Sequence, residues 1–404
     1  MNTRLFKLAG VAVVAASLAL TGCGSRTEPA ASGSAGGATK VAKIGVIAPL
    51  SGDLSALGLG IRNSVDLAIR QANESGAIPG WKLELAAEDD EAKPDTGKNA
   101  ATKLASDDAV VGVVGTLNSS VAQSVIPVLD SAKIVQVSPA NTNPTLTKGA
   151  DFLTAPKRPN ANYFRTCTTD AVQGPFAAQY LLGEGVKKVA TIHDKKSYGQ
   201  GLVSEFSKAF TAGGGTIVAA ETINPDDKNF SAVISKVQGG APEAVYYGGE
   251  YPQAGPLSKQ MKAAGLKVPV MGGDGIFSGE FIKLGGTDGD LATSVGAPVD
   301  TLESAKPFLE GYKAAGFAEG YEAYGAYSYD AANAIINALK VSLKDAADAK
   351  SAREATITAM ASVSFDGATG KVAFDEFGDS VSRVLTVYAV TNGAWAAKKT
   401  GELK

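Results

Sequence analysis

The chain has 404 residues, with 38 Lys and Arg against 41 Asp and Glu, one His, two Cys and a formal net charge of −3. That balance lacks the basic excess of a nucleic-acid-binding surface, and so few Cys and His exclude a structural zinc site. The length supplies core for two α/β domains.

The first residues read as a targeting segment. Arg4 and Lys7 precede the apolar run Leu8–Leu20, too short for a permanent bilayer-spanning helix. Residues 1–22 are assigned to a signal peptide. Leu20-Thr21-Gly22-Cys23 looks like a bacterial lipobox, which makes Cys23 the lipidated residue. Cleavage there removes Arg4 and Lys7 and no acidic residue, taking the net charge from −3 to about −5. Residues 23–40, rich in Gly, Ala and Ser, read as a flexible tether. Cys167 is then the remaining thiol, predicted to be small, buried and unbridged.

Lys43–Ala48 reads as the first buried strand. Ile61, Val65, Ala68, Ile69 and Ala72 fall at helix spacing, and Gly76 closes that helix. Leu83–Ala87 is a second strand, the acidic run Glu88–Glu91 reads as solvated, and Thr96–Ala105 as a helix. Val110–Val114 is short, apolar and β-branched, as expected of a strand buried on both faces of a parallel sheet. Gly115 ends it, Ser119 and Ser120 sit where an N-cap would, and Val121–Leu129 carries helix-period apolar positions. Ile134–Val137 repeats the strand and Ser138–Thr142 repeats the polar exit. Two neighbouring strands thus end in hydroxyl-bearing turns on one edge of a sheet, where α/β proteins bind ligands. Helix-start N–H groups there suit a carboxylate, although the hydroxyls alone are equally consistent with helix capping.

Beyond Lys148 the alternation continues. Tyr163–Arg165, Val189–His193, Thr216–Ala220, Val245–Tyr247, Val268–Met271 and Leu385–Val390 read as strands. Helices are predicted from Asp170 to Leu182, Gln200 to Ala212, Phe230 to Val237, Gln253 to Ala264, Ser304 to Ala315, Ala323 to Leu343 and Arg353 to Met360. Strand alternating with helix means parallel sheets.

Catalysis finds little support. His193 has no nucleophile motif beside it and reads as structural. No Walker loop is present, and Gly58-Leu59-Gly60 lacks the third glycine and the preceding strand of a dinucleotide site. No cofactor and no metal are expected; a binding role is left.

Gly115 to Thr142, read with His193-Asp194-Lys195 through Tyr198-Gly199 and with Tyr246-Tyr247-Gly248-Gly249, closely resembles the leucine/isoleucine/valine-binding proteins of bacterial uptake systems, which are type I solute-binding proteins. The resemblance runs from about Ala42 to about Trp395. It implies an α/β fold of two Rossmann-like lobes with parallel sheets joined by a three-strand hinge, with crossings near Thr168, Ala297 and Val384. Residues 41–168 and 297–384 would form the N-terminal lobe, and 169–296 with 385–404 the C-terminal lobe.

A free amino acid is a zwitterion, and burying either charge unpaired is costly. The resemblance says where its partners stand. Ser119 matches the serine that holds the carboxylate, and Ala140 the carbonyl that accepts from the ammonium. Thr142 matches a threonine using both backbone N–H and hydroxyl, and Tyr198 a tyrosine of the second lobe. Asp274 falls where a glutamate commonly pairs with the ammonium. Three features depart from the pattern, one of them the absence of the cysteine pair that bridges the first lobe in some members. Leu57 replaces an aromatic residue over the ligand side chain, and Glu250 replaces a tyrosine, with Tyr251 beside it. Glu250 is expected to turn to solvent at the cleft mouth while Tyr251 takes over part of the missing tyrosine's role. The alternative is an inward Glu250 with a Lys or Arg of this protein, or a second cationic group of the ligand, as its partner.

The implied protein is a monomeric, lipid-anchored solute-binding protein on the extracytoplasmic face of the membrane. It would close on a branched-chain amino acid and deliver it to an ABC permease. Another amino acid, an amide, urea, a small aromatic acid or a sensing role is the alternative.

Overall fold

The computed structural model describes residues 39–403. The predicted signal peptide, Cys23 and nearly all of the predicted tether lie outside the described residues.

The β-branched runs make the first sheet. Strands β1 (Lys40–Ala48), β2 (Trp81–Asp89), β3 (Val110–Gly115), β4 (Val135–Ser138) and β5 (Tyr163–Arg165) pair in the order β2-β1-β3-β4-β5. Every pairing is parallel. Helices α1 (Ser55–Glu74), α2 (Pro94–Ser106), α3 (Ser119–Ser131) and the single turn α4 (Thr145–Lys148) connect them. All six residues of β3 are buried, and its neighbouring valines serve opposite faces. Val113 belongs to a core with Val121 and Leu129, while Val114 belongs to one with Ile61. Each such side chain removed from water contributes about 1.5–3 kcal/mol.

The acidic run after β2 is not solvated throughout. Asp90 is fully buried, and its Oδ1 accepts the Ala92 N–H at 2.8 Å. Asp89 accepts the Leu50 N–H at 2.9 Å. These carboxylates hold the turn between β2 and α2, a use of charge that a run of acids does not advertise.

The chain then crosses to a second sheet. Helix α5 (Asp170–Gly183) is followed by β6 (Lys188–His193), α6 (Ser197–Ala212), β7 (Thr216–Thr222), α7 (Ser231–Gly239), β8 (Ala244–Gly248), α8 (Tyr251–Ala263), β9 (Val270–Gly272), α9 (Gly279–Leu284) and β10 (Leu291–Val295). Helices α10 (Lys306–Ala315), α11 (Gly325–Ser342) and α12 (Arg353–Met360) return to the first sheet, where α11 packs on α1, β3 and β4. Gly112 of β3 makes that approach feasible, since a Cβ there would sit 2.8 Å from Ile335 of α11. A hairpin of β11 (Ser364–Gly367) and β12 (Gly370–Ala373) follows. Then β13 (Val384–Thr391) and β14 (Ala394–Glu402) complete the second sheet, ordered β14-β13-β10-β9-β8-β6-β7. Strands β13 and β14 are its antiparallel members.

Sequence reading missed β10, β14 and the hairpin. Strand β14 is largely exposed, so no apolar alternation marks it; the free edge of β13 supplies its pairing. The chain crossings lie side by side: Gly296 N–H donates to Val384 O at 2.8 Å, and Thr386 Oγ1 to Gly296 O at 2.8 Å. Thr168, Gly296 and Val384 border one cavity. Cys167, beside β5, is fully buried and unbridged.

Candidate functional site

The residues singled out above sit at the carboxyl ends of parallel strands from both sheets, the edge at which α/β sheets bind ligands. Asn118 and Ser119 open α3 beyond β3; Ala140 and Thr142 follow β4. Asp194, Lys196 and Tyr198 follow β6, Glu250 follows β8, and Asp274 follows β9. Leu57 comes from the first turn of α1 and Tyr324 heads α11.

Leu57, Ser119, Ala140, Tyr198 and Glu250 border one small cavity between the two sheets. Asn118 and Tyr324, which sequence reading did not select, border it too. Ser119 is 1% exposed, and its Oγ has no hydrogen-bond partner among the described residues. It is the first residue of α3, not its cap: Asn118 holds the N-cap position, without a side-chain capping bond. The start of α3, with the unpartnered Ser119 hydroxyl, therefore forms one wall of the cavity, and a helix N-terminus suits a carboxylate.

Thr142 and Asp274 lie behind the wall rather than on it. Thr142 is fully buried and its Oγ1 has no partner among the described residues; its carbonyl accepts the Asp170 N–H at 2.8 Å. Asp274 accepts from Tyr198 Oη at 2.8 Å, Gln173 Nε2 at 2.9 Å and Tyr324 Oη at 2.9 Å. Burial pushes its pKa up, against these three donors. Three of the roughly four lone-pair positions of a carboxylate are thus used within the protein.

Glu250 corrects the expectation of a solvent-facing side chain. It is 4% exposed and points inward. Lys196 Nζ donates to its Oε2 at 2.8 Å, and Asn118 Nδ2 donates to its Oε1 at 2.7 Å. Burial opposes the charge on Glu250, but the Lys196 ammonium and the hydrogen bonds from Lys196, Asp194 and Asn118 together outweigh it and hold the carboxyl below its usual range. Asp194, behind this pair, is pushed up to about 8 by burial and by the Glu250 charge. An unpaired buried carboxylate is costly, and the counter-charge came from the turn after β6 instead of from solvent. Tyr251 does not replace the missing tyrosine at the cavity. Its hydroxyl donates across the cleft to Asp53 O at 2.5 Å.

The two sides of the cleft meet at further points. Asn143 Nδ2 donates to Ser197 O at 3.0 Å, and Ser278 Oγ to Glu322 Oε2 at 3.0 Å. His193 stands apart, half-buried, its Nδ1 accepting the Lys195 N–H at 3.1 Å. Among the described residues no group of His, Cys, Asp and Glu is arranged to hold a metal ion, and no helix is long and apolar enough to cross a membrane. Sequence reading missed Asn118, Lys196, Gln173 and Tyr324. The signal for Lys196 was its place two residues before Tyr198, in the turn that reaches the same edge as Glu250.

Comparison with known proteins follows the same lines. Residues 41–394 match the model of a family described as periplasmic binding protein. The Leu/Ile/Val-binding protein BraC3 of Rhizobium johnstonii is 34% identical over 352 residues, 85% of this chain and 90% of its own length. Leu/Ile/Val-binding protein homolog 3 of Brucella melitensis is 38% identical over 246 residues, 61% of this chain and 64% of that protein, so the match spans under two thirds of this relative. Among solved structures, the branched-chain amino acid transporter substrate-binding protein LivJ of Streptococcus pneumoniae, in complex with isoleucine, superposes with a TM-score of 0.79 at 26% identity. That match covers 90% of this chain and 100% of the other. The leucine-binding protein LivK of Thermotoga maritima gives 0.78 at 27%, covering 89% and 98%.

Proposed function

This chain belongs to the periplasmic binding protein family, a family of solute-binding proteins and not of enzymes, and we propose that it is a lipid-anchored extracytoplasmic protein that captures an amino acid of branched-chain size and delivers it to an ABC permease. The relatives' names supply the ligand class and the transporter. The Leu20–Cys23 motif supplies the anchor at Cys23.

The observation that carries the reading is the buried, unpartnered Ser119 Oγ at the start of α3, on a cavity wall shared with Ala140. Ser119 receives the ligand carboxylate, the Ala140 carbonyl and Asp274 receive the ammonium, and Thr142 contributes its backbone N–H and hydroxyl. Leu57, Tyr198 and Glu250 face the rest of the ligand. The lobes are residues 41–168 with 297–384 and residues 169–296 with 385–404. Binding is hinge closure about the crossings, each lobe bringing part of the polar set. A second reading, an amino acid with a more polar side chain, is favoured by the inward Glu250.

A thermal-shift series on the full chain with leucine, isoleucine and valine tests the function. A ligand at about a hundred times its dissociation constant adds roughly 2.7 kcal/mol of stability. No shift with any amino acid would defeat the reading.

A further inference from the structure

The cavity wall carries two polar groups that a hydrocarbon side chain cannot use. Asn118 is 4% exposed, and while its Nδ2 donates to Glu250, its Oδ1 is buried with no donor among the described residues. Glu250 stands beside it on the same wall. A site built this way favours a ligand bearing an N–H or O–H and discriminates against the analogue lacking one, because the wall's own polar groups are then left unpaired.

Charge narrows the class further. Glu250 already has Lys196 at 2.8 Å, so the wall offers no unbalanced negative charge to a guanidinium or ammonium side chain. An anionic side chain would meet the Glu250 carboxylate directly. What remains is an uncharged donor on a small branched side chain, with Leu57, Leu117 and Tyr324 bounding the space.

We propose that the cleft selects the uncharged polar isosteres of the branched-chain amino acids, with Asn118 and Glu250 as its specificity-determining residues. Asparagine has the shape of leucine with a carboxamide for the isopropyl group, and threonine has the shape of valine with a hydroxyl for one methyl. Each donates to Asn118 Oδ1 or to Glu250. This selectivity rests on the amino-acid reading of the cleft given above.

Calorimetry on the full chain in detergent, with asparagine, leucine, threonine, valine, aspartate and arginine, tests it. Asparagine is expected to bind at least about tenfold tighter than leucine, and threonine tighter than valine, with aspartate and arginine weakest. A double variant, Glu250→Leu with Lys196→Met, removes both charges together and leaves neither uncompensated; it should reverse the order of asparagine and leucine. Asn118→Ala, which leaves the ion pair in place, should reduce the preference several-fold. Leucine binding as tightly as asparagine to the wild type, arginine or aspartate binding tightest, or an unchanged preference in the variants would overturn the assignment. Binding of no amino acid at all would overturn the reading of the cleft, and this selectivity with it.

Discussion

Tyr324 donates its hydroxyl to Asp274 Oδ2 at 2.9 Å, joining the start of α11 on the first sheet to the turn after β9 on the second. Tyr198, on the second-sheet side, donates to the other oxygen of the same carboxylate at 2.8 Å. Two tyrosines at the cavity thus reach one buried acid behind it. Tyr324→Phe removes a hydrogen bond to a charged group, worth about 1.5–3 kcal/mol, and should weaken amino-acid binding roughly ten- to a hundredfold. Asp274→Asn should weaken it by more than about tenfold as well. Calorimetry with the best ligand measures both; unaltered affinity in Tyr324→Phe would show that the bond does not form in the bound state.

Ser119→Ala addresses the carboxylate end. The hydroxyl has no partner within the described residues, so its removal costs folding little. Affinity should fall by about ten- to a hundredfold with the melting temperature of the ligand-free protein unchanged. A drop in stability without a drop in affinity would make it a structural residue.

Lys196→Met strips the counter-charge from Glu250. Breaking a buried pair typically costs about 3–5 kcal/mol. The Lys196 side chain keeps 21% exposure, so about 2–3 kcal/mol is expected here, read by urea unfolding at neutral pH. The double variant with Glu250→Leu should recover most of the loss.

Asp90 predicts a pH dependence. Burial pushes its pKa up to about 7, and its Oδ2 has no donor. The folded state therefore holds this proton more tightly than the unfolded chain does, whose carboxyl titrates near its ordinary value of 3.8. Its contribution is fully present below that value and is lost as pH rises through about 7. Asp90→Asn keeps the acceptor for the Ala92 N–H and should flatten this part of the profile. Unfolding free energies at pH 5 and pH 8 should differ less in the variant than in the wild type.

Cys23→Ala tests the anchor. The variant should move from the membrane fraction to the soluble fraction, followed by fractionation and immunoblotting. Retention on membranes after a carbonate wash would point to a different attachment.

Much of the architecture was legible because the signals are local. The Val110–Val114 run, the glycine and hydroxyl exits, and the helix-period positions of α1 and α3 each depend on neighbours a few residues apart. The cavity residues Leu57, Ser119, Ala140 and Tyr198 were reached through the family resemblance, and the structure brings them to one cavity. Strand β14 was missed for the opposite reason: its exposed residues carry no pattern, and only the edge of β13 gives it a partner.

By itself the sequence determined the alternation of strand and helix, the parallel sheets that follow from it, and which turns end at the carboxyl edge of a sheet. Tertiary structure alone decided the fate of the buried charges. Asn118 and Glu250 are 132 residues apart in sequence, Gln173 and Asp274 are 101 apart, and Glu250 and Lys196 are 54 apart. No local periodicity encodes such distances. Whether a carboxylate faces water or the interior depends on the counter-charge that folding brings within about 3–4 Å, and for Glu250 that was Lys196, delivered by the turn of a neighbouring strand.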